Sequence, residues 1–364
     1  MGGLSTPGEG AAAVRLPVEA LTDVVADIFR AHELSDADAR IAAEALVRAD
    51  LRGVWSHGVA RVPMYCARLA AGVAKARPAI AVSRVAPAAA LVEGDDGLGL
   101  IVARRAMDEA VALAGEAGVG LVGVRASGHF GMAALYAEQA SEAGCFGWVH
   151  TNSSPALPPW GGRRALFGTS PFAFAAPTPE GAPPFLIDMA MTPLARGKLK
   201  FAAQRGEAIP EGLALDPEGR PTTDGQAAFE GTLLPFGGVK GAALAWMMDL
   251  AAGVFPGAAS AGRVRNPFRD LAGPQNVGHL MIAARADLFR PLAEGEAGLA
   301  EVAATAKAQP RAEGLDEILS PGEPEARREA ANRAQGVPLS PDVLAALQDL
   351  AAEKGVSWPP DSAQ

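Results

Sequence analysis

Cysteine is nearly absent: Cys66 and Cys145 are the only two in 364 residues. Two thiols cannot build a disulfide framework, so a reducing cytoplasm is the expected home. Positive charge is in deficit as well. Lys plus Arg number 32 against 41 Asp plus Glu, giving a formal net charge of −9. That balance argues against a nucleic-acid groove or an anionic membrane surface as the main partner. Long apolar runs are missing too. The best stretch, Gly241 to Phe255, is too short for a bilayer and carries Asp249. The opening residues, MGGLSTPGEGAAAV, lack the positive start and apolar core of a signal peptide. They match the loose N-myristoylation pattern through Gly2 and Thr6, against which a disordered tail is the plainer expectation. The five histidines are His32, His57, His129, His150 and His279, none at H-E-x-x-H spacing, and neither cysteine has a close partner. No metal site is expected.

What is present is core-forming material: 49% of residues are hydrophobic and 20% charged, which excludes disorder over most of the chain. The length suits about two domains. Apolar residues at Leu21, Val24, Val25 and Ile28 share one helical face, predicting a helix over Pro17 to His32. Ser35 is a suitable N-cap for a second helix, Asp36 to Ala49, and a third is expected over Val59 to Ala71. From Ile80 the texture changes to short β-like runs between Ala-rich helices. Helices are predicted over Ile101 to Ala117, Met132 to Ala143, Lys240 to Val254, Pro324 to Gln335 and Ser340 to Lys354. Strands are predicted over Gly120 to Arg125, Phe146 to Thr151, Ala173 to Ala176, Phe185 to Met189 and Leu280 to Ala284. Helices at both ends around a mixed middle suggest an end-built helical domain with an α/β domain inserted.

One G-x-G-x-x-G match exists, at Gly118, Gly120 and Gly123. A dinucleotide-binding loop must follow a strand and open a helix. Here a helix precedes and a strand follows, so these glycines are expected to end the one and start the other. No P-loop pattern occurs. Ser56 and His57 stand beside Gly58, with Arg61 four residues beyond His57. An imidazole near a guanidinium suits an anionic substrate, because Arg grips a carboxylate through two hydrogen bonds while His handles a proton. A helix cap at Ser56 with a surface His57 is the alternative. His129 sits in Ala126 to Met132, after a strand and before a helix, where anions and substrates gather in α/β proteins. A capping turn is the alternative there. Lys240, in Phe236-Gly-Gly-Val-Lys-Gly241, approaches a helix through glycines and suits either a phosphate or plain solvent. Pro321-Gly-Glu-Pro324 opens another helix and presents Glu323 to a ribose hydroxyl, or is simply a turn.

Seven segments in register resemble the malate/L-lactate dehydrogenase family that is distinct from the Rossmann-type enzymes. They are ADLRGVWSHGVARVPMY (Ala49 to Tyr65), ASGHFGMA (Ala126 to Ala133), PPWGG (Pro158 to Gly162), LFGTSPFAFAAP (Leu166 to Pro177), IDMAMTPLARGK (Ile187 to Lys198), LLPFGGVKG (Leu233 to Gly241) and PGEP (Pro321 to Pro324). The resemblance implies an α/β (α+β) fold: a non-Rossmann cofactor domain with a largely antiparallel sheet, inserted in a helical domain built from both chain ends. The expected boundaries are 13–85 plus 320–356 for the helical domain and 86–319 for the NAD(P)-binding and substrate domain, with flexible tails at 1–12 and 357–364.

It further implies a homodimer that uses NAD or NADP to move a hydride to or from C2 of a small 2-hydroxy or 2-oxo acid. A cyclic imino-acid reductase is the alternative chemistry, and a non-catalytic binding protein on the same scaffold the alternative of another class. Carried over by position, Ser56, His57, Arg61 and His129 are catalytic, and His57 and His129 compete for the proton. Arg61 and Thr169 bind substrate. His129, Phe130, Asp188, Met189, Ala190, Arg196, Gly197, Lys240, Gly241, Gly322 and Glu323 contact the cofactor, with Arg196 a partner for a 2′-phosphate. Two residues depart from the family pattern: Ser170 replaces an Asn after Thr169, and Trp55 precedes the Ser-His pair.

Overall fold

The computed structural model describes residues 14–194 and 196–359. Of the expected tails at 1–12 and 357–364, the first, with Gly2 and Thr6, and residues 360–364 of the second lie outside the described residues, while Trp358 packs against the core of the two chain ends. In chain order the first half contains β1 (Val14–Leu16), α1 (Val18–Ala31), α2 (Asp36–Leu51), α3 (Val62–Ala70), β2 (Ala81–Ala86), β3 (Ala89–Glu93), α4 (Gly99–Ala117), β4 (Val119–Ser127), α5 (Ala134–Glu142), β5 (Cys145–Thr151) and β6 (Phe172–Ala176). The second half contains β7 (Phe185–Met189), α6 (Arg196–Arg205), β8 (Ala214–Leu215), α7 (Gly225–Glu230), β9 (Thr232–Leu233), α8 (Val239–Met248), β10 (Val277–Arg285), α9 (Leu292–Lys307), α10 (Glu323–Gln335), β11 (Val337–Leu339) and α11 (Pro341–Glu353).

β1 pairs antiparallel with β11, so residues more than 300 apart in sequence close one small sheet. Around it packs a core of Leu16, Leu21, Val25, Ile28, Phe29 and Leu46 from the start of the chain and Val337, Leu339, Leu347 and Ala351 from its end. α1 follows its predicted apolar face. α2 begins where the sequence places its cap: Ser35 Oγ accepts the Asp38 N–H at 3.1 Å.

The main sheet has seven strands in the order β2-β3-β4-β10-β5-β6-β7. Every neighbouring pair is antiparallel except β3 and β4. It is a mixed α/β fold with a mainly antiparallel sheet, unlike the parallel doubly wound dinucleotide fold. α4 and α5 cover one face over Val122, Val124, Val149, Ala173, Met281 and Ala283. Glycine permits that close approach. A Cβ on Gly120 would lie 2.0 Å from the Ala110 carbonyl oxygen, and one on Gly147 would lie 2.5 Å from that of Ala137. Gly118 caps α4 at φ 84°, and β4 starts at the next residue. The G-x-G-x-x-G match therefore ends a helix and starts a strand, as its order requires.

Two predicted helices differ in form. In place of one helix from Val59, short 3-10 turns at Trp55–His57 and Val59–Arg61 precede α3, which starts at Val62 with Pro63 in its first turn. The predicted Lys240 to Val254 helix is α8 up to Met248 and then widens into π-type turns at Asp249–Val254. The widening lets buried Asp249 accept the Ala261 N–H at 2.8 Å. α9 carries no apolar periodicity strong enough to announce it, and none of its residues is buried.

A buried cation ties three helices together. Arg52, 2% exposed at the end of α2, donates to Glu138 of α5 and to Glu329 of α10, both at 2.7 Å. Between α2, this ion cluster and the carboxyl end of β4, the chain places the turns that carry the catalytic candidates.

Candidate active site

The turns after α2 are held from below by a carboxyl group. Asp50 is 3% exposed, and its Oδ2 accepts the Val59 N–H at 2.7 Å. A Cβ on Gly58 would lie 2.1 Å from Asp50 Oδ1, so only glycine fits between the two 3-10 turns. Burial pushes the Asp50 carboxyl up to about 8, against a smaller downward pull from the Val59 N–H.

These turns present Ser56, His57 and Arg61. Ser56 Oγ lies 2.8 Å from His57 Nδ1, so Ser56 partners the imidazole and caps no helix. Arg61 Nε donates to the Ser56 carbonyl, and its guanidinium lies 4.8 Å from the centre of the Phe268 ring. Among the described residues, Arg61 Nη1 and Nη2 have no hydrogen-bond partner. A planar fork so left open is shaped for a carboxylate.

His129 follows β4 and comes to the same place. Its ring stacks on that of His57, with centres 5.6 Å apart and planes 12° from parallel. Tyr65 Oη of α3 lies 2.6 Å from His129 Nδ1, and the Gly131 N–H donates to the same nitrogen at 3.3 Å. Gln275 Oε1 accepts the His129 N–H at 3.1 Å and anchors the loop to the segment before β10. Desolvation, then the Arg61 charge, lowers His57 to about 4. Desolvation, then His57 and Arg61, holds His129 well below the usual imidazole range. Both rings are neutral at pH 7.

Phe130, adjacent in sequence, turns inward. It is 3% exposed, stacks at 4.6 Å on the His279 ring, and its carbonyl accepts the Tyr136 hydroxyl. His279 is fully buried between Thr151 Oγ1 at 2.8 Å and Ser127 Oγ at 2.9 Å, and burial lowers it to about 3.

The remaining expected residues gather along β7 and its continuation. Asp188 Oδ2 accepts the Ala134 N–H at the start of α5, the helix that the His129 loop opens into. Met191 N–H donates to the Thr169 carbonyl, and the Phe236 N–H donates to the Met191 carbonyl. Thr169, Met189, Ala190 and the Phe236 to Gly241 turn thus meet at one end of the sheet. Lys240 there is exposed, Gly241 is buried, and Trp160 lies over Gly238. Gly322 packs on Pro184 and Leu186 at the other end of β7. Glu323 is 5% exposed and holds Lys307, the Ser320 N–H and Arg327, partners that keep its carboxyl down at about 2. It staples α9 to α10. Gly197 is exposed in α6, and the side chain of Arg196 lies outside the described residues. Ser170 is fully buried at φ 37°, its hydroxyl without a partner among the described residues. Trp55 is half-buried, with its indole N–H likewise unpartnered.

Asp50, Tyr65, Phe268 and Gln275 were not singled out in the sequence. Asp50 and Tyr65 lie inside the first matching segment, where a carboxyl seven residues before His57 was the available signal. Phe268 and Gln275 arrive from a loop some 200 residues later, and no local pattern marks them. No group of three or more metal-ligating side chains occurs among the described residues.

A stacked histidine pair beside an open guanidinium, on a mixed sheet unlike the parallel dinucleotide fold, can perform acid–base chemistry on a small anion. A family profile described as malate/L-lactate dehydrogenase matches residues 16–348, and the chain belongs to that family. The L-sulfolactate dehydrogenase of Methanocaldococcus jannaschii is 35% identical over 92% of this chain and 95% of its own length. Its solved structure superposes with a TM-score of 0.88, covering 94% of this chain and 98% of that one. The ureidoglycolate dehydrogenase (NAD(+)) of Escherichia coli K12 is 33% identical over 83% of this chain and 85% of its own. The (2R)-3-sulfolactate dehydrogenase (NADP(+)) of Chromohalobacter salexigens is 37% identical over 83% and 87%. The structure of the delta1-piperideine-2-carboxylate reductase from Pseudomonas syringae is similar at TM-score 0.81 and 29% identity, over 93% of this chain and 99% of that one.

The buried Asp50 carboxyl sets a pH dependence of stability. Its folded value, about 8, is raised above the ordinary 3.8, so its contribution is fully present below pH 3.8 and is lost as pH rises to 8. The loss is at most about 1.4 kcal/mol per pH unit. Asp50→Asn keeps an acceptor for the Val59 N–H without the charge. Urea unfolding between pH 4 and 9 should show a flatter decline for the variant than for the parent chain; equal slopes would mean Asp50 is ionised throughout.

Proposed function

We propose that the cluster of His57, Arg61 and His129 binds a small 2-hydroxy acid by its carboxylate and oxidises it at C2, or reduces the matching 2-oxo acid. One observation carries this: two stacked neutral imidazoles stand beside a guanidinium whose terminal nitrogens have no protein partner. Arg61 holds the carboxylate, and the imidazoles flank the C2 oxygen, where one of them exchanges the proton. When bound, NAD or NADP supplies or accepts the hydride at C2. The surroundings suit such a group: Thr169 and Ala190 are half-buried, Met189, Gly197 and Lys240 are exposed, and desolvation raises the Asp188 carboxyl to about 6. Gly241 and Gly322 contribute only backbone, and Phe130 and Glu323 support the site from within the fold.

A cyclic imino acid would use the same Arg61 anchor, with the proton going to nitrogen. The likeness to the piperideine-carboxylate reductase structure favours keeping this second reading. The domain division at 13–85 plus 320–356 and 86–319 is supported by two buried clusters, one drawn mainly from the two chain ends and one mainly from the main sheet with α4 and α5. A cytoplasmic location fits Cys66 and Cys145, both buried and unpaired, and among the described residues no helix is long and apolar enough to span a membrane.

A homodimer accounts for apolar surface that one chain leaves bare. Trp246, Leu250, Val254 and Phe255 line the exposed side of α8 and its π-turns, and Phe289 is 95% exposed before the unburied α9. Isolated helices of about that length are marginal in water. Sedimentation at micromolar concentration should give a dimer, and Leu250→Glu with Val254→Glu should give a monomer; a parent chain that sediments as a monomer removes the proposal.

NADH and NADPH oxidation against oxaloacetate, pyruvate, sulfopyruvate and a cyclic imine should show turnover with at least one. His57→Ala should lower kcat about 10²–10⁴-fold with the fold intact. Arg61→Ala should raise KM roughly 10–100-fold, the size of a lost charged hydrogen bond. Full turnover in the first variant, or an unchanged KM in the second, would remove that residue from its role.

A further inference from the structure

The two stacked histidines have different partners, and the difference decides what each can do. The place of a proton on an imidazole follows from its hydrogen bonds. His129 Nδ1 receives the Gly131 N–H at 3.3 Å, and a backbone amide only donates. It therefore carries a lone pair, and the Tyr65 hydroxyl donates to it at 2.6 Å in preference to the His129 carbonyl, which lies farther off at 3.3 Å. Neutral His129 is left with its proton on Nε2, which has no protein partner among the described residues. His57 is not so constrained. Its Nδ1 meets Ser56 Oγ at 2.8 Å, and a hydroxyl both donates and accepts. His57 can keep a proton on Nδ1 and a lone pair on Nε2, and can gain a second proton without losing a bond.

We infer that Tyr65 is a positioning residue that, with the Gly131 N–H, locks His129 in its Nε2–H form. His129 is then a hydrogen-bond donor to the C2 oxygen, and the proton exchanged in the reaction passes through His57 alone. The inference deepens the proposed dehydrogenase chemistry and rests on it. In the oxidising direction, His57 Nε2 takes the C2 hydroxyl proton, while the hydride leaving C2 would be accepted by a bound oxidised nicotinamide. The products are the 2-oxo acid, reduced nicotinamide and a protonated His57 that returns its proton to solvent. His129 keeps its own proton and polarises the same oxygen. Protonating it would break the Gly131 bond and reverse the Tyr65 one.

The groups facing His129 reinforce this. They are His57 and Arg61 from the turns, Tyr65 from α3 and His279 from β10, with Arg68, Asp96 and Gln275 lining the narrow cavity that it shares with Tyr65. Arg61 and the neighbouring imidazoles oppose a second positive charge on the ring, and desolvation opposes it most.

The test uses the full chain labelled with ¹⁵N-histidine and followed by long-range nitrogen–proton correlation from pH 5.5 to 9. The His129 signals are identified by their loss in His129→Gln. The expected result is a single neutral Nε2–H form for His129 across the range. In Tyr65→Phe, a near-isosteric change, His129 should shift toward a mixture of tautomers. That variant should lose about tenfold in kcat, with KM within twofold. A His129 proton on Nδ1, a His129 that titrates within this range, or a Tyr65→Phe that leaves both the nitrogen signals and kcat unchanged would overturn the inference. The nitrogen signals need no turnover. A locked His129 in a chain that oxidises no 2-hydroxy acid would therefore refute the dehydrogenase chemistry and the role given to His57, not the tautomer assignment.

Discussion

One buried carboxyl governs where the reactive groups stand. Asp50 ends α2 facing the protein interior and accepts the Val59 N–H, while its oxygens occupy the space a side chain at position 58 would need. α2 ends at Leu51, with Arg52 as its C-cap. The chain then folds into two tight turns, and these aim Ser56, His57 and Arg61 at one point. A buried carboxyl is costly unless neutral or well paired. Asp50 meets that cost by protonation more than by ion pairing, which sets it apart from the Arg52 cluster two residues further on.

The site is also defined by what is kept away from it. Among the described residues no carboxylate hydrogen-bonds to either imidazole, and Arg61 is a full charge acting on both. Two rings that would be partly cationic in water are therefore neutral here. Neutral imidazoles leave the Arg61 guanidinium as the full charge acting on this cluster. The same economy appears around His279, which is held between two hydroxyls and supports Phe130 under the loop. Hydrogen bonds brace this end of the sheet.

Much of the fold was legible. Strand β5 alternates buried and half-buried residues, β6 alternates Phe with Ala, and α1 has a clean apolar face, so local pattern and tertiary role agree. The three glycines at 118, 120 and 123 could be read correctly from their order alone. Less was legible where pairing is long-range or pattern is weak. β1 and β11 are three residues each and exist because they meet one another. α9 is rich in Ala, Gly and Glu, with no stripe to bury. The π-turns after α8 depend on where Asp249 finds its partner. Among the candidate residues, Ser56, His57, Arg61 and His129 converge as the motifs suggested. Phe130 and Glu323 take up supporting positions that their neighbours impose.

The sequence by itself determined which chemical groups are available: one Ser-His-Gly-x-x-Arg segment, one post-strand histidine, and glycines where helix and sheet must touch. Residue identity and short spacing suffice for that, because both are local. Only the tertiary structure decided how those groups are protonated and which is free to react. Tyr65, Gln275 and Phe268 reach His129 and Arg61 from distant parts of the chain. The burial and hydrogen bonds that fix an imidazole's proton arise only when those parts are brought together.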